Sequence, residues 1–258
     1  MSAALEMLAA TDQLLVALDF DGTLSELVDD PMTARMTPAA RAAVDELRDT
    51  PGTVVALVSG RSLHDLREIA EHTDGSDVVL AGSHGAEFWM PGSGRAAQGE
   101  DAADAALRGT LRAEAETLTA NLHGVWIEPK TFGFGVHTRR ALPADAERAH
   151  EVVGGLVRER APHWRRRVGH NITEYAFRAE GKDTAVAQLR EQVGATAVLF
   201  AGDDVTDEDA IASLQPGDLG IRVGPGPSSA RVRVADIDEL AATLTRLARL
   251  RTLRRAQA

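Results

Sequence analysis

The sequence predicts an α/β protein, a doubly wound parallel-sheet core of Rossmannoid layout with an inserted α+β unit. Three observations predict it. Apolar runs recur with helical segments between them, which implies strands buried on both faces and helices on each side. Several runs end abruptly in acids, hydroxyls or glycines, as strands do where an open α/β sheet gathers its ligands. In the middle of the chain the texture changes to helix–strand–strand, twice over, with strands that alternate like half-exposed ones.

The elements follow in order. LLVAL (14–18) is a short apolar run halted by Asp19-Phe20-Asp21-Gly22-Thr23, which marks a buried strand and its turn. A helix over residues 38 to about 48 leads to TVVALVSG (53–60), and a helix over about 62–70 leads to DVVLAGSHG (77–85). MPGSGRAAQGED (90–101) reads as a loop and a hinge. A helix over about 101–122 precedes GVWIEPK and GFGVHTRR; a second, over about 144–160, precedes WRRRVGHN and ITEYAF. The core resumes with a helix over about 184–193, AVLFAGDD (197–204), a helix over about 208–214 and LGIRV (219–223). Residues 1–100 and 175–258 are thus expected to form the core, and 101–174 the inserted domain.

Composition narrows the function. A chain of 258 residues with 44% hydrophobic and 26% charged residues is an ordinary globular sequence. A net charge of −11 argues against a nucleic-acid or anionic-membrane partner, though local charge can still favour an anionic substrate. With no cysteine, disulfides and thiolate metal sites are excluded. The opening MSAALEMLAATDQ lacks the basic start of a secretory signal, and no apolar stretch is long enough to span a bilayer. A cytoplasmic monomer acting on a small molecule is the expectation.

Four constellations carry chemistry. In DFDGT, Asp19 could attack an electrophile while Asp21 donates a proton to the leaving group and later activates water. Two acids so close resist joint ionisation unless a cation shares the site. Ser59-Gly60-Arg61 is either a phosphate-binding corner or a plain helix N-cap at Ser59. In AGDDVTDED, Thr206 and Asp209 fit a capping box, which leaves Asp203 and Asp204 unexplained; carboxylate oxygens of this kind suit magnesium. Lys182 gains nothing at a helix start, where the dipole disfavours a cation, so it either faces solvent or sits opposite a phosphoryl group or the carboxylates.

Taken in this order, the four sets resemble the haloacid dehalogenase-like (HAD) phosphohydrolase superfamily. The resemblance implies Asp19 as nucleophile through an aspartyl-phosphate, Asp21 as acid then base, and Ser59 and Lys182 on the transferring phosphoryl group. It implies Mg2+ held by Asp19, the Asp21 carbonyl and Asp203, with Asp204 and Asp207 in support. SGRSLHDL (59–66), GSHGAE (82–87), Glu128-x-Lys130, His137-Thr138-Arg139, Glu174 and GDDVTDEDA (202–210) resemble one family, the trehalose-6-phosphate phosphatases. That implies an inserted cap domain whose Glu128, Lys130 and Glu174 grip sugar hydroxyls, with His137 and Arg139 also substrate-binding, and Arg61, His84 and Glu87 approaching from the core. Without the family, Glu128 and Lys130, which share a strand face, read as a solvated ion pair. Three departures from the family pattern stand out: Asp183 after the lysine, Thr138 where Tyr is common, and no Arg-Pro after Glu174. Another sugar or pseudo-sugar phosphate is the alternative substrate. A catalytically silent sensor would be expected to have lost a nucleophile or a metal ligand, and Asp19, Asp21, Lys182 and Asp203 are all present. Arg165-Arg166-Arg167 reads as a solvated edge, and LTRLARLRTLRRAQA (244–258) as a frayed, solvated helix.

Overall fold

The computed structural model describes residues 1–97, 102–169 and 171–256. It divides into two compact units, Met1–Ala97 with Glu180–Ala258, and Gln98–Ala179.

In the first unit β1 (Leu14–Leu18) is central, and all five of its residues are buried. Parallel partners flank it on both sides: β2 (Thr53–Val58) on one, β10 (Ala197–Gly202) on the other. Beyond β2 lie β3 (Val79–Gly82) and an antiparallel hairpin of β4 (Glu87–Met90) and β5 (Gly94–Ala97). Beyond β10 lie β11 (Leu219–Val223) and β12 (Val232–Val234). The resulting order, β12-β11-β10-β1-β2-β3-β4-β5, puts a topological switch point at the carboxyl end of β1, where ligands of such sheets bind.

Strand alternation decides which core each residue joins. Leu14, Val16 and Leu18 pack with Leu5 and Leu8 of α1 (Ser2–Ala9), Val44 and Leu47 of α2 (Pro38–Arg48), Leu66 of α3 (Leu63–Ile69) and Leu244 of α8 (Ile237–Arg255). Leu15 and Ala17 face the other way, towards Val186 and Leu189 of α6 (Lys182–Val193) and Ile211 of α7 (Val205–Ser213). Burying both strand faces is why these runs are continuously apolar.

The second unit contains α4 (Ala102–Thr119), β6 (Trp126–Lys130), β7 (Gly133–His137), α5 (Pro143–Arg160), β8 (Arg165–Gly169) and β9 (Ile172–Ala176). Its antiparallel sheet has the order β6-β7-β9-β8. Phe134, Val136 and Tyr175 pack against Leu111 and Ala115 of α4 and Val153 and Val157 of α5, a core separate from those of the first unit.

Two expectations need correction. Residues 90–97 are not all loop, since Gly94–Ala97 pairs with β4; the remainder of the expected hinge, 98–101, lies outside the described residues, as does His170. The C-terminal helix is not a frayed solvated one, because Leu244, Leu247, Ala248 and Arg251 are buried. A helix with an arginine every few residues looks solvated in sequence, yet its apolar stripe closes the first core.

Candidate active site

Asp19 follows β1 directly, and its N–H donates to the Ala201 carbonyl on β10 at 3.0 Å, so its place is set by the sheet. Only 4% of it is exposed. Lys182, the first residue of α6 and equally buried, brings Nζ to 2.5 Å from Asp19 Oδ1 and 2.6 Å from Asp207 Oδ1. Asp207 is wholly buried, and its Oδ2 accepts from the Asp204 N–H at 2.9 Å. Thr23 Oγ1 lies 3.2 Å from both Asp19 Oδ2 and Asp203 Oδ1. Two glycines make room for the acids: a Cβ on Gly22 (φ +79°) would collide with the Asp203 carboxylate, and one on Gly202 with that of Asp207.

Three carboxylates therefore share one lysine. Oxygens of Asp19, Asp203 and Asp207 all lie within 4.8 Å of one another. Burial pushes Asp19 well above the usual carboxylate range, and Asp207 and Asp203 add to the rise while Lys182 opposes it. Asp203 is pushed up to about 6, by burial first and then by Asp207, again against Lys182. Lys182 is held protonated, since its two carboxylate partners outweigh the cost of its burial. Excess buried negative charge with hard oxygen donors fits a divalent cation such as magnesium. Asp207 accepts from Lys182 and the Asp204 N–H, and Asp19 from Lys182 and Thr23, so a cation would share these oxygens with their present donors.

The turn into α7 differs from the expected capping box at Thr206 and Asp209. The helix begins at Val205 with Asp204 as its N-cap, and Asp207 reaches back to that cap's N–H. The acid pair three residues apart that serves the backbone is thus Asp204 and Asp207. Arg222 on β11 steadies this turn by donating to the Asp204 carbonyl at 2.9 Å. The sequence reading missed it, although an arginine within a fully buried strand was its signal.

At the end of β2, Ser59 is buried, and its Oγ accepts from the Arg61 N–H at 3.2 Å. The N-cap alternative for Ser59 fails: α3 is capped by Ser62, whose Oγ accepts from Asp65 N. Arg61 grips Asp21 with two parallel bonds of 2.6 Å. Ser83 (φ 49°) and His84 (φ 57°) adopt consecutive left-handed conformations, a strained arrangement for residues with side chains. Their backbone N–H groups donate to the carbonyls of Arg61 and Ser59, which fixes one loop against the other. Glu87, 1% exposed, accepts from Leu63 N, Ser83 Oγ and Arg95 Nη2 at 3.2, 2.7 and 2.7 Å. Both its oxygens serve the framework, and Glu87 holds this loop pair together.

In the second unit, Glu128, Lys130, His137 and Glu174 converge on one sheet face. Lys130 Nζ lies 2.9 Å from Glu128 Oε2 and 3.4 Å from Glu174 Oε1, and His137 Nε2 lies 2.6 Å from Glu128 Oε2. Burial disfavours the Lys130 ammonium, but Glu174 and Glu128 more than compensate and raise its pKa. Arg139 is exposed on the turn after β7. Trp126, which the sequence reading passed over, joins this face; its signal was the alternation W-x-E-x-K.

Comparisons with known proteins give a family for the chain and a class for its fold. A family model described as trehalose-phosphatase matches residues 17–238. A trehalose-phosphate phosphatase of Mycobacterium marinum is 34% identical over 85% of this chain and 57% of its own length. A probable trehalose-phosphate phosphatase of Sinorhizobium fredii is 33% identical over 83% of this chain and 79% of its own. The chain spans only about half the length of the mycobacterial relatives it matches. Among solved structures, the C-terminal domain of C. albicans trehalose-6-phosphate phosphatase superposes with a TM-score of 0.83 at 21% identity, covering 96% of each chain. That likeness, together with one to a haloacid dehalogenase-like hydrolase from B. subtilis (TM-score 0.59), places the fold in the HAD-like class.

Proposed function

Because this chain belongs to the trehalose-phosphatase family of phosphatases, we propose that it hydrolyses trehalose 6-phosphate to trehalose and inorganic phosphate. The observation that carries the reading is the buried arrangement of Asp19, Lys182, Asp207 and Asp203 at the switch point of the sheet. In the proposed reaction Asp19 Oδ attacks phosphorus and the bond from phosphorus to the sugar oxygen breaks. Asp21 delivers a proton to that oxygen, so trehalose leaves as the alcohol. Asp21 then takes a proton from water, whose oxygen attacks the aspartyl-phosphate and frees phosphate, restoring both acids. Arg61, now clamped on Asp21, must let go for either transfer, and a bound substrate offers it another anion. Ser59 and Lys182 would steady the phosphoryl oxygens.

Asp19, the Asp21 carbonyl and Asp203 would hold Mg2+, with Asp204 and Asp207 in support. The ion would offset charge that the lysine alone leaves unbalanced. Glu128, Lys130 and Glu174, with His137 and Arg139, would supply the sugar contacts, making the second unit a cap. Thr138 and the missing Arg-Pro lie within or beside that unit, and they favour a second reading, hydrolysis of another sugar phosphate.

Phosphate release from a panel of sugar phosphates tests both. The highest kcat/KM is expected for trehalose 6-phosphate, and a higher value on another ester defeats the narrower assignment. Asp19→Asn should lower turnover roughly a thousandfold or more with the fold intact. Chelation should abolish activity and Mg2+ restore it; undiminished turnover in excess chelator would refute the metal assignment.

A further inference from the structure

Trp126 has no part in the scheme above, yet its surroundings are specific. Alternate residues of β6 point the same way, so Trp126 shares a sheet face with Glu128 and Lys130. The hydrophobic core of this unit lies on the other face, with Phe134, Val136 and Tyr175. Trp126 is accordingly 38% exposed, and packing does not account for it.

The register sets Trp126 directly across from His137, and their rings stack in parallel with centroids 4.4 Å apart. The Arg140 guanidinium lies 5.8 Å from the Trp126 ring centroid. Stacking confines the imidazole to one plane, and in that plane Nε2 meets Glu128 Oε2 at 2.6 Å. Lys130 reaches the same oxygen at 2.9 Å. Two donors on Oε2 stop the carboxylate from rotating, and among the described residues Oε1 is left without a bond. Opposite Glu128 on the ladder stands Gly135, so no side chain stands directly across from the carboxylate; a Cβ there would lie 3.6 Å from Oε2. Burial pushes the Glu128 pKa up, but the His137 hydrogen bond and Lys130 together hold it below the usual range. An ionised carboxylate only accepts hydrogen bonds, which suits a hydroxyl donor.

We propose that Trp126 and His137 form a positioning pair that fixes Glu128 for a sugar hydroxyl, and so set the preference for a disaccharide phosphate over a small phosphate ester. The inference rests on the reading of Glu128 as a sugar contact. A preset acceptor binds without first being ordered, so the pair acts on KM more than on the chemical step.

Steady-state kinetics on trehalose 6-phosphate and p-nitrophenyl phosphate, for Trp126→Ala, Trp126→Phe, His137→Ala and His137→Gln, test it. Trp126→Ala and His137→Ala should raise KM for the sugar ester about tenfold, the loss of one well-oriented contact. Phe at 126 and Gln at 137 should recover most of that loss. Turnover of p-nitrophenyl phosphate by Trp126→Ala should match wild type. An unchanged KM in Trp126→Ala, or equal losses on both esters, would overturn the proposal. A wild-type enzyme that prefers a different sugar phosphate would overturn the substrate assignment instead, and the same variants compared on that ester would still decide the pair's role.

Discussion

Lys182 shows how much one residue can carry here. Its ammonium sits buried between Asp19 and Asp207, at 2.5 and 2.6 Å, and among the described residues no other cation pairs with those carboxylates. Removing one partner of a buried pair leaves an uncompensated charge and typically costs about 3–5 kcal/mol. Lys182→Met is therefore expected to lose turnover and to unfold at a clearly lower urea concentration. A variant with the wild-type urea midpoint would show that the pair contributes little to the fold. His72 makes a different point. Burial, above all, holds its imidazole below the ordinary value; the hydrogen bond to the Val78 carbonyl opposes this, and Arg67 adds to it. A base held down in the fold stays neutral there while the unfolded chain takes up a proton. Its contribution is thus complete above the unfolded value, about 6.5, and is lost as pH falls below it. The drop in Tm between pH 7 and pH 5 should be smaller in His72→Gln than in wild type. Parallel Tm curves would remove His72 from the account.

At the scale of elements, the site is made where strands stop. β1, β2 and β10 end side by side, and each is followed by a turn that releases a functional group: Asp19, Ser59 and Asp203. In the turn after β10, Asp207 folds back to cap α7 over the backbone of Gly202. Gly202→Ala would drive a methyl group into the Asp207 carboxylate and pull it from Lys182. Overpacking of this kind costs about 1–3 kcal/mol. Turnover should fall about 5- to 150-fold, since that cost falls on the reactive geometry. Wild-type kcat in Gly202→Ala would mean that the Asp207–Lys182 contact is not needed for catalysis.

Across the whole molecule, Arg251 ties the chain's two ends together. From α8 it donates to the carbonyls of Leu8, Thr11 and Gly52 and to the hydroxyls of Thr53 and Thr11, at 2.8–3.2 Å. Burial, with Arg255 nearby, lowers its pKa to about 10. Arg251→Ala would remove five hydrogen bonds from a charged donor, a kind worth about 1.5–3 kcal/mol each. A loss of about 3 kcal/mol or more is expected in urea unfolding, with Lys at 251 recovering only part because it lacks the planar fork. A loss below about 1 kcal/mol would refute the staple. Charge is also unevenly divided between the units. Residues 98–179 hold twelve Lys and Arg against eleven Asp and Glu, and the rest hold sixteen against twenty-eight. The acidic excess therefore belongs to the unit whose strand ends gather carboxylates.

The sequence by itself determined the fold class and singled out the acids and the lysine that the fold brings together. Apolar runs of five or six residues halted by turn signals are too short for helices and read as strands buried on both faces, and packing does not explain the acids that halt them. The repeated α–β–β pattern of the second unit was legible for the same reason, in strands that alternate. Tertiary structure alone decided which acid faces which cation. Asp207 read as one acid among five near a helix start, and only the fold places it between Lys182 and the Asp204 N–H. Glu87 read as a substrate contact, and only the fold shows its oxygens accepting from Leu63, Ser83 and Arg95. The C-terminal helix read as solvated because periodicity does not reveal which surface awaits an apolar stripe. In each case the deciding partner lies far along the chain, and one-dimensional spacing cannot register a contact that only folding creates.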